Sequence, residues 1–474
     1  MNRKPTLSFF QIILPVLFLG VLIIYGMVIR PKFLGQPGFP LEIVFLLAAV
    51  FAIAELMILG FEWHVIQNSI IKKLAKGFPA ILILFSIGII IGTWMISGTI
   101  PMLIYYGINL INPTYIYILA FLIPIIFSTL TGTSWGSIGT IGVVIIGVAA
   151  VVEANLGITA GAIVGGAFFG DKLSPLSDTT NIAAMATEVN LYDHIRSMMY
   201  TTMPSALIAA VIYFILGFTH PPVGSEIDII QIAPTLNAIS AMFNFNVFLL
   251  IPPIIVLIGS VRKMATLPTL LISSLSAAVL AMAFQPYSLG DIMNALNKGF
   301  DTSMAYWVTR APDNINVLFT RGGLYELNEA IIFSIMVFVF IGTIDLIDAM
   351  PTIVDRSFGF IKTKASLIIS SLFATAFTNS ITSNQSATSF VIGDAFGKRY
   401  DDAGVSRKVL SRSIEDYGTM FESLVPWHAT AIFLTATLGV SYGDYWNWQL
   451  LSLINLIMAP TLAFLGKGCF YDDE

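Results

Sequence analysis

The stretch Thr131-Gly-Thr-Ser-Trp-Gly-Ser137 and the later run Gly170-Asp-Lys-Leu-Ser-Pro-Leu-Ser-Asp-Thr-Thr-Asn181 are polar segments within an otherwise apolar sequence. Irregular, hydroxyl-rich backbone is tolerated at membrane depth only where it is buried in protein or lines a cavity. The second run carries Asp171 and Asp178, and an ionisable side chain inside a membrane is a candidate functional residue. The two stretches therefore predict an ion site built on interrupted helices.

The composition predicts a polytopic membrane protein. Of the 474 residues, 56% are hydrophobic and 11% are charged, against about 25% charged in soluble proteins. The length suits one transmembrane domain over residues 1–474 with about a dozen spans. The single cysteine, Cys469, excludes an intrachain disulfide and a multi-cysteine metal site. The net charge of −5, without a basic patch interleaved with aromatic residues, gives no support for nucleic-acid binding.

The apolar segments predict helices of unequal length. The candidate spans are 9–29, 41–60, 79–99, 114–130, 138–153, 157–169, 197–218, 246–260, 267–284, 328–350, 366–378, 386–396, 427–440 and 448–466. Segments 138–153, 157–169 and 386–396 are too short to cross a hydrocarbon core of about 30 Å. Short segments in corresponding places of two halves indicate the binding site of a secondary transporter. The polar-rich stretch at about 285–325 is interpreted as a connector with an amphipathic helix.

An internal duplication is visible in recurring short motifs. Phe85-Ser-Ile87 recurs as Phe333-Ser-Ile335, and Ile91-Gly-Thr93 recurs as Ile341-Gly-Thr343. The polar stretch 131–137 is matched by 378–385, and 171–181 by 413–419, with a nearly constant offset. A collinear set of such matches predicts a first repeat at about 41–218 and a second at about 267–466.

The distribution of basic residues gives the relative orientation of the repeats. Lys72, Lys73 and Lys76 precede the span at 79–99, whereas Arg356, Lys362 and Lys364 follow the corresponding span at 328–350. Because basic loops stay on the cytoplasmic side, the two copies are expected to cross the membrane in opposite directions. Inverted repeats are typical of secondary transporters with a site near the bilayer midplane. The basic N-terminus then lies in the cytoplasm.

Oxygen-bearing side chains in the polar segments are the candidate ligands, since hard cations prefer carboxylate, carbonyl, amide and hydroxyl oxygens. The predicted cation-binding residues are Thr133, Ser134, Ser137, Asp178, Thr179, Asn181, Asn379, Ser380, Ser383 and Asn384. Among them, Asp178 and Asn181 are the predicted ligands of Na+. The proton-coupling candidates are Asp171, Asp178, Glu415, Asp416 and His428. The second copy also offers Gln385 and Glu422 as oxygen donors.

Structural roles compete with each of these assignments. A serine or threonine in a membrane helix often bonds to the preceding turn or holds two helices together. Glu415 and Asp416 could lie on a solvated amphipathic helix, and Lys172 beside Asp171 marks either a loop end or a charge partner. The sequence has no glycine-rich phosphate loop, no His-Glu-x-x-His and no Gly-x-Ser-x-Gly motif. We therefore expect neither an enzyme nor a cofactor.

Three motifs resemble the NhaC family of bacterial Na+/H+ antiporters. They are Gly132-Thr-Ser-Trp-Gly-Ser137, Gly166-Ala-Phe-Phe-Gly-Asp-Lys-Leu-Ser-Pro-Leu-Ser-Asp-Thr-Thr-Asn181 and Glu415-Asp-Tyr-Gly-Thr with Val425-Pro-Trp-His428. The resemblance implies an ion-transporter superfamily fold with inverted repeats, re-entrant hairpins and broken helices, working as an elevator. It further implies a homodimer in the bacterial inner membrane that exchanges Na+ for H+. A carrier of a small organic anion or amino acid, of the malate/lactate type, is the alternative.

Overall fold

The structure, a computed structural model, describes residues 7–110, 112–222, 229–262, 264–308, 316, 319–357 and 363–471. Two charged residues of the predicted connector, Arg310 and Asp313, lie outside these ranges, as does Lys362. The described residues form helices, joined by turns and two isolated bridges, Phe300 with Arg321 and Val405 with Tyr471. The predicted all-α fold class is confirmed.

The described residues of the first half of the chain form a series of α-helices. They are α1 (Phe9–Ile23), α2 (Arg30–Phe33), α3 (Leu41–Ile58), α4 (Trp63–Ile96), α5 (Thr99–Leu110), α6 (Ile116–Thr131), α7 (Ser134–Ser137), α8 (Val143–Val151), α9 (Leu156–Leu173), α10 (Asp178–Ala186), α11 (Leu191–Thr219), α12 (Ile229–Met242) and α13 (Ile251–Val261). A π-helical turn, Ile138–Gly142, joins α7 to α8. Such turns are frequent near functional sites.

The helices continue through the second half. They are α14 (Thr266–Phe284), α15 (Leu289–Lys298), α16 (Asn328–Asp345), α17 (Ala349–Ser357), α18 (Lys364–Thr382), α19 (Gln385–Asp402), α20 (Arg407–Tyr417), α21 (Thr419–Glu422), α22 (Ala429–Leu438), α23 (Tyr442–Tyr445) and α24 (Leu450–Leu465). Helix α15 is the helix expected in the connector. It packs against α4 through a face that buries Ile292 and Ala295.

Within the described ranges, ten helices are long and apolar enough to cross a membrane, and up to twelve if each bent helix pair counts as one span. The two bent pairs turn by 94° between Pro234–Met242 and Val247–Gly259 and by 48° between Tyr442–Trp448 and Leu450–Leu465. The protein is thus a multi-pass membrane protein with the expected number of spans.

Several helix boundaries of the first half recur in the second half at one constant spacing, which we call the helix register. The starts of α9, α10 and α11 at Leu156, Asp178 and Leu191 recur, equally shifted, as the starts of α20, α22 and α23 at Arg407, Ala429 and Tyr442. The end of α6 at Thr131 recurs with the same shift as the end of α18 at Thr382. This shift is slightly larger than the offset of the motif matches. Because of this difference, the helix register and the motif matches pair different acids of the two halves.

Close helix packing holds the polar segments in place. Helix α6 lies along α9, and a Cβ atom added at Gly166 of α9 would be 2.1 Å from the Phe121 carbonyl oxygen of α6. Small residues allow two membrane helices to approach in this way. The two helices therefore carry the first polar tip and the first helix break as one packed unit.

Candidate functional site

The first half of the site is a helix hairpin with a two-residue turn. Helix α6 ends at Thr131, the following Gly132 has a φ of 68° in the left-handed region, and α7 begins after Thr133. The Thr133 side chain caps α7 by accepting a hydrogen bond of 3.2 Å from the Gly136 backbone N–H. Glycine is the default residue where φ must be positive, and threonine is a good N-cap. The local sequence therefore dictates this tip.

The second half of the site has the same hairpin turn with different residues. Helix α18 ends at Thr382 and is followed by Ser383, with a φ of 44°. Asn384 caps α19 by accepting a 2.8 Å hydrogen bond from the Ala387 N–H. A non-glycine residue with positive φ is uncommon, and such strained residues cluster at functional sites. The equivalence of the two tips follows from the helix register.

Matching side-chain hydrogen bonds support this equivalence. The hydroxyl oxygens of Thr131 and Ser137 are 3.1 Å apart across the first tip. Those of Thr382 and Thr388, the equivalent positions in the helix register, are 2.9 Å apart across the second. Predicted residue Ser137 therefore braces the hairpin, and its hydroxyl also donates to the Thr133 carbonyl oxygen at 2.7 Å.

The tip geometry gives a stability prediction for Gly132→Ala. Alanine at positive φ costs about 1–2 kcal/mol, and its Cβ would lie 2.6 Å from the Leu176 Cβ. Gly35 has a similar φ of 61° with no atom within 4 Å of an added Cβ, so Gly35→Ala is the matched control. We expect Gly132→Ala to lower the thermal unfolding temperature of the purified protein clearly more than Gly35→Ala. Equal decreases would show that contact with Leu176 is unimportant.

Two interrupted helices face the hairpin tips. Helix α9 ends at Leu173 and α10 begins at Asp178, with the Ser177 side chain accepting a 3.3 Å hydrogen bond from the Thr180 N–H. In the second half, α21 ends at Glu422 and α22 begins at Ala429. His428, the residue equivalent to Ser177, caps α22 through a 3.1 Å hydrogen bond from the Thr430 N–H to its Nδ1.

The helix register pairs the acids differently from the motif matches. Asp171 corresponds to Glu422, and Asp178 corresponds to Ala429. The earlier pairing of 171–181 with 413–419 is therefore wrong, because the structure pairs 171–181 with 422–432. Short motif matches cannot fix the register there, because an interruption of the helix changes the local spacing.

A cavity of about 510 Å³ lies where the two tips and the two helix breaks meet. The predicted cation ligands that line it are Thr133, Ser134, Asp178, Thr179, Asn181, Ser383 and Asn384. Three of the proton-coupling candidates line it: Asp178, already named, together with Asp171 and His428. Residues from both halves of the sequence thus share one cavity, as the duplication suggested.

Some predicted residues lie outside the cavity lining. Asn379 is buried, and its Oδ1 accepts a 3.3 Å hydrogen bond from the Thr388 hydroxyl. The Ser380 hydroxyl donates to the Ala376 carbonyl oxygen at 2.7 Å, which is the back-bonding typical of serine in membrane helices. Ser137, Glu415 and Asp416 are also absent from the lining. Their contacts stabilise the helices that form the walls of the cavity.

Asp171 is a buried acid that faces the cavity. Its side chain is 3% exposed, and its Oδ2 accepts a 2.7 Å hydrogen bond from the Ser134 hydroxyl. Its Oδ1 has no hydrogen-bond partner within the described ranges. A buried polar atom without a hydrogen-bond partner costs free energy. This oxygen is therefore available to bind a ligand.

Glu422 is the second buried acid of the cavity. It is 8% exposed and lines the cavity together with Thr419 and Thr430. The sequence offered Glu422 only as one oxygen donor among many. The signal that identifies it is its equivalence to Asp171, which becomes clear only once the helices define the register.

Asp178, the acid that the sequence favoured, has a different environment. Its side chain is exposed at the cavity, and its Oδ1 accepts a 3.0 Å hydrogen bond from the Thr179 N–H. It is the first residue of α10, where a negative charge is favoured by the helix dipole. Asp178 therefore lies nearer the opening than Asp171 does.

The other ligand candidates near Asp178 shape the helix break. The Asn181 amide nitrogen donates to the carbonyl oxygens of Pro175 at 3.0 Å and Ser177 at 2.5 Å. The Thr179 hydroxyl oxygen lies 3.1 Å from that of Ser177. The two Asn181 bonds satisfy backbone carbonyl groups at the interruption of the helix.

Neutral oxygen atoms from the second half of the chain complete the wall of the cavity. The Ser383 hydroxyl and the Gln385 Oε1 are buried, line the cavity and lack a hydrogen-bond partner among the described residues. The Gln385 amide nitrogen is held by the Ile414 carbonyl oxygen at 3.1 Å, which leaves the oxygen available. Together with Asp171 and Glu422 these atoms are the oxygen types that hard cations prefer.

Asp416 belongs to a buried ion-pair network. Lys172 donates to its Oδ1, and the Arg412 Nε lies 3.9 Å from its Oδ2. The Oδ1 also accepts 3.0 Å hydrogen bonds from Thr201 and Asn455. The predicted alternatives for these residues are therefore resolved: Lys172 is a charge partner, and Asp416 is buried and not on a solvated helix face.

Glu415 lies outside the cavity lining, whereas His428 is part of it. Glu415 is fully buried, and its Oε2 accepts a 2.7 Å hydrogen bond from Thr419. The Oε1 has no hydrogen-bond partner in the described part of the chain. The His428 Nε2 lies 3.9 Å from the Glu422 Oε2, while its Nδ1 accepts the backbone bond that caps α22. An accepting Nδ1 makes this imidazole neutral.

Comparison with known proteins identifies relatives along nearly the whole chain. Residues 166–467 match the model of the "Na+/H+ antiporter family". An "Uncharacterized Na(+)/H(+) antiporter" of Haemophilus influenzae is 38% identical over 90% of this chain and 91% of its own. The "Na(+)/H(+) antiporter NhaC" of Alkalihalophilus pseudofirmus is 31% identical over 99% and 97%. The "Malate-2H(+)/Na(+)-lactate antiporter" of Bacillus subtilis is 30% identical over 87% and 86%.

Proposed function

The chain belongs to the Na+/H+ antiporter family, and from this membership we propose that it is a secondary transporter that exchanges Na+ for H+. The observation that carries the proposal is the pair of buried acids, Asp171 and Glu422, facing one cavity beside unpartnered neutral oxygens. A carboxylate in a partly dry site can hold either a proton or a cation. Competition between the two is what exchange requires.

The cation site is proposed at the inner end of the cavity. Asp171 supplies an unpartnered carboxyl oxygen, and the Ser383 hydroxyl and Gln385 amide add neutral ligands from the opposite hairpin. Asp178 and Asn181 lie at the same cavity and serve the entering ion. Backbone carbonyls freed by the helix breaks are further ligands of the kind that transporters use.

Family membership and the charge pattern support a proposal for the direction of exchange and for the location of the chain. We propose that the chain resides in the bacterial cell membrane as a homodimer and exports Na+ in exchange for H+. The basic N-terminus and the loop with Lys72, Lys73 and Lys76 are proposed to lie in the cytoplasm, because basic loops are retained there.

Transport by the full chain in proteoliposomes tests this function. We expect an imposed Na+ gradient to move protons in the opposite direction, reported by an internal pH dye, in the absence of any organic solute. The Asp355→Asn variant, which changes an exposed acid paired with Arg399, is expected to transport normally. No proton movement under a Na+ gradient alone would refute simple antiport.

An organic co-substrate is the second candidate function, and the size of the cavity favours it. At about 30 Å³ per water molecule, 510 Å³ holds roughly 17 waters, far more than one Na+ needs. Lys76 lies on the lining as a positive group for an anion. If proton movement occurs only when malate, lactate or an amino acid is added to the same proteoliposomes, this function replaces the first.

A further inference from the structure

The connector between the two halves makes a tight backbone contact with α4. The Gly323 N–H donates a 2.7 Å hydrogen bond to the Gly88 carbonyl oxygen of α4. A Cβ atom added at Gly88 would lie 2.4 Å from the Gly323 carbonyl oxygen, so glycine is needed for this approach. Phe300 and Arg321 exchange two backbone hydrogen bonds of 3.1 Å each. The backbone of Arg321 is therefore anchored beside α4.

The Arg321 side chain extends from this anchor to the end of α22. Its Nη2 donates a 2.6 Å hydrogen bond to the Thr437 carbonyl oxygen. Thr437 lies in the last turn of α22, which ends at Leu438 and is followed by Gly439 with a φ of 69°. The last carbonyl groups of a helix lack partners within the helix, and the helix dipole favours a positive charge there. Arg321 therefore holds α22 from its C-terminal end.

The opposite end of α22 lies at the cavity. His428, which caps the helix, and the first helical residues, Ala429 and Thr430, line the cavity. Ten residues of α-helix span about 15 Å, and Arg321 is not among the described residues of the lining. A rigid helix carries a displacement at one end to the other. The contact at Thr437 thus influences the position of the cavity wall without touching the ion site.

A second acceptor lies near the Arg321 guanidinium. The Glu326 Oε1 is 3.9 Å from the Arg321 Nε, too far for a hydrogen bond. This Nε and the Thr437 hydroxyl are both buried without a hydrogen-bond partner among the described residues. Because buried polar atoms without partners cost free energy, a different arrangement of this contact can satisfy groups that the present one leaves unsatisfied. The guanidinium has two acceptors within reach and bonds one of them.

The equivalent helix of the first half is held in a different way. Glu188, which follows α10 and corresponds to Gly439 in the helix register, pairs with Arg407 at 2.5 Å. Arg407 is the first residue of α20, a helix that packs against α10. An arginine thus meets the end of each broken helix, but the arginine at α22 comes from the connector. Arg321 therefore links α22 to the connector anchored beside α4.

We propose that Arg321 is a positioning residue that holds α22 in the conformation in which the cavity opens beside Lys76. The lining on that side includes the exposed residues Lys76 and Met264. In the other conformation Arg321 exchanges the Thr437 carbonyl for the Glu326 carboxylate, which releases α22. This inference rests on the proposed function, because a secondary transporter exposes its site to each side of the membrane in turn.

Cysteine labelling from the two sides of the membrane tests this role. The reporter is Ala429→Cys, at the cavity end of α22, combined with Cys469→Ala to remove the single native cysteine. A membrane-impermeant maleimide is added to inside-out vesicles, which expose the Lys76 side in the proposed topology, and to right-side-out vesicles. The ratio of the two labelling rates reports the ratio of the two conformations. Loss of a charged hydrogen bond in Arg321→Gln should lower this inside-out to right-side-out ratio by about 10-fold.

Companion variants separate positioning from a general structural role. Arg321→Lys keeps a positive charge at the helix end and should restore part of the parental ratio. Glu326→Gln weakens the acceptor of the other conformation, so it should raise the ratio that Arg321→Gln lowers. The matched controls Arg399→Gln and Asp355→Asn change the two members of an exposed ion pair of 3.0 Å, and both should keep the parental ratio.

The variants Arg321→Gln and Glu326→Gln decide the outcome. An unchanged ratio in Arg321→Gln, or a shift of both variants in the same direction, would overturn the inference, as would labelling of every variant from one side only. If Arg321→Gln yields no folded protein, Glu326→Gln decides alone: a raised ratio supports the inference, and an unchanged or lowered ratio overturns it. Proton movement driven by Na+ in the parent protein is measured separately, and its absence would refute the proposed function itself.

Discussion

Replacing Asp171 by asparagine is expected to reduce Na+-dependent proton movement by at least about 10-fold. Changes in groups that only orient a metal ligand cost about 10- to 100-fold in affinity, so loss of a charged ligand should cost no less. Asp171 is buried, faces the cavity and presents an unpartnered oxygen, and asparagine keeps its size while removing the charge. Initial rates of proton movement in proteoliposomes, at several Na+ concentrations, measure the effect.

A folding defect must be separated from loss of the site. The Asp171→Asn protein should elute as a single species in size-exclusion chromatography and unfold at a temperature close to that of the parent. The control is Asp355→Asn, the same chemical change at an exposed ion pair, which should retain the parental rate. Parental transport by a correctly folded Asp171→Asn variant would remove this acid from the site.

The comparison with Asp178→Asn locates the site along the cavity. The sequence favoured Asp178 as the cation ligand, and the structure places its side chain at the open part of the cavity. Because water screens an exposed charge, we expect Asp178→Asn to raise the Na+ concentration for half-maximal rate while leaving measurable exchange. Complete loss of exchange in Asp178→Asn alone would shift the cation site outward to α10.

The Lys172→Met variant is expected to lose more stability than any other change considered. It removes the buried lysine that donates to Asp416 and leaves that carboxylate with Arg412 at 3.9 Å. Breaking a buried ion pair by removing one partner costs about 3–5 kcal/mol, because the remaining charge stays buried. A large decrease in the thermal unfolding temperature of the detergent-solubilised protein is the expected result.

The double variant Lys172→Met with Asp416→Asn is the decisive control. Removing the second charge should restore much of the lost stability, because the Asp416 carboxylate is then no longer buried without its lysine partner. The cycle of single and double variants isolates the coupling between the two side chains. Additive losses would mean that the pair contributes little to the fold.

The sequence by itself determined the class of protein and the local form of the site. Hydropathy was sufficient to place the chain in a membrane, because backbone groups there must form helices. The resemblance implied re-entrant hairpins, and their tips depend on neighbouring residues through the positive φ at Gly132 and the capping by Thr133 and Asn384. The NhaC resemblance pointed to the family that the relatives establish.

The tertiary structure decided which acids are buried and which are paired. Asp171 and Asp178 lie in one polar run, yet the first is buried and the second is exposed. Lys172 meets Asp416 across 244 positions, and Glu422 becomes equivalent to Asp171 only through the register of the helices. The burial and charge state of a carboxyl depend on the helices packed around it, and those helices come from the other half of the chain.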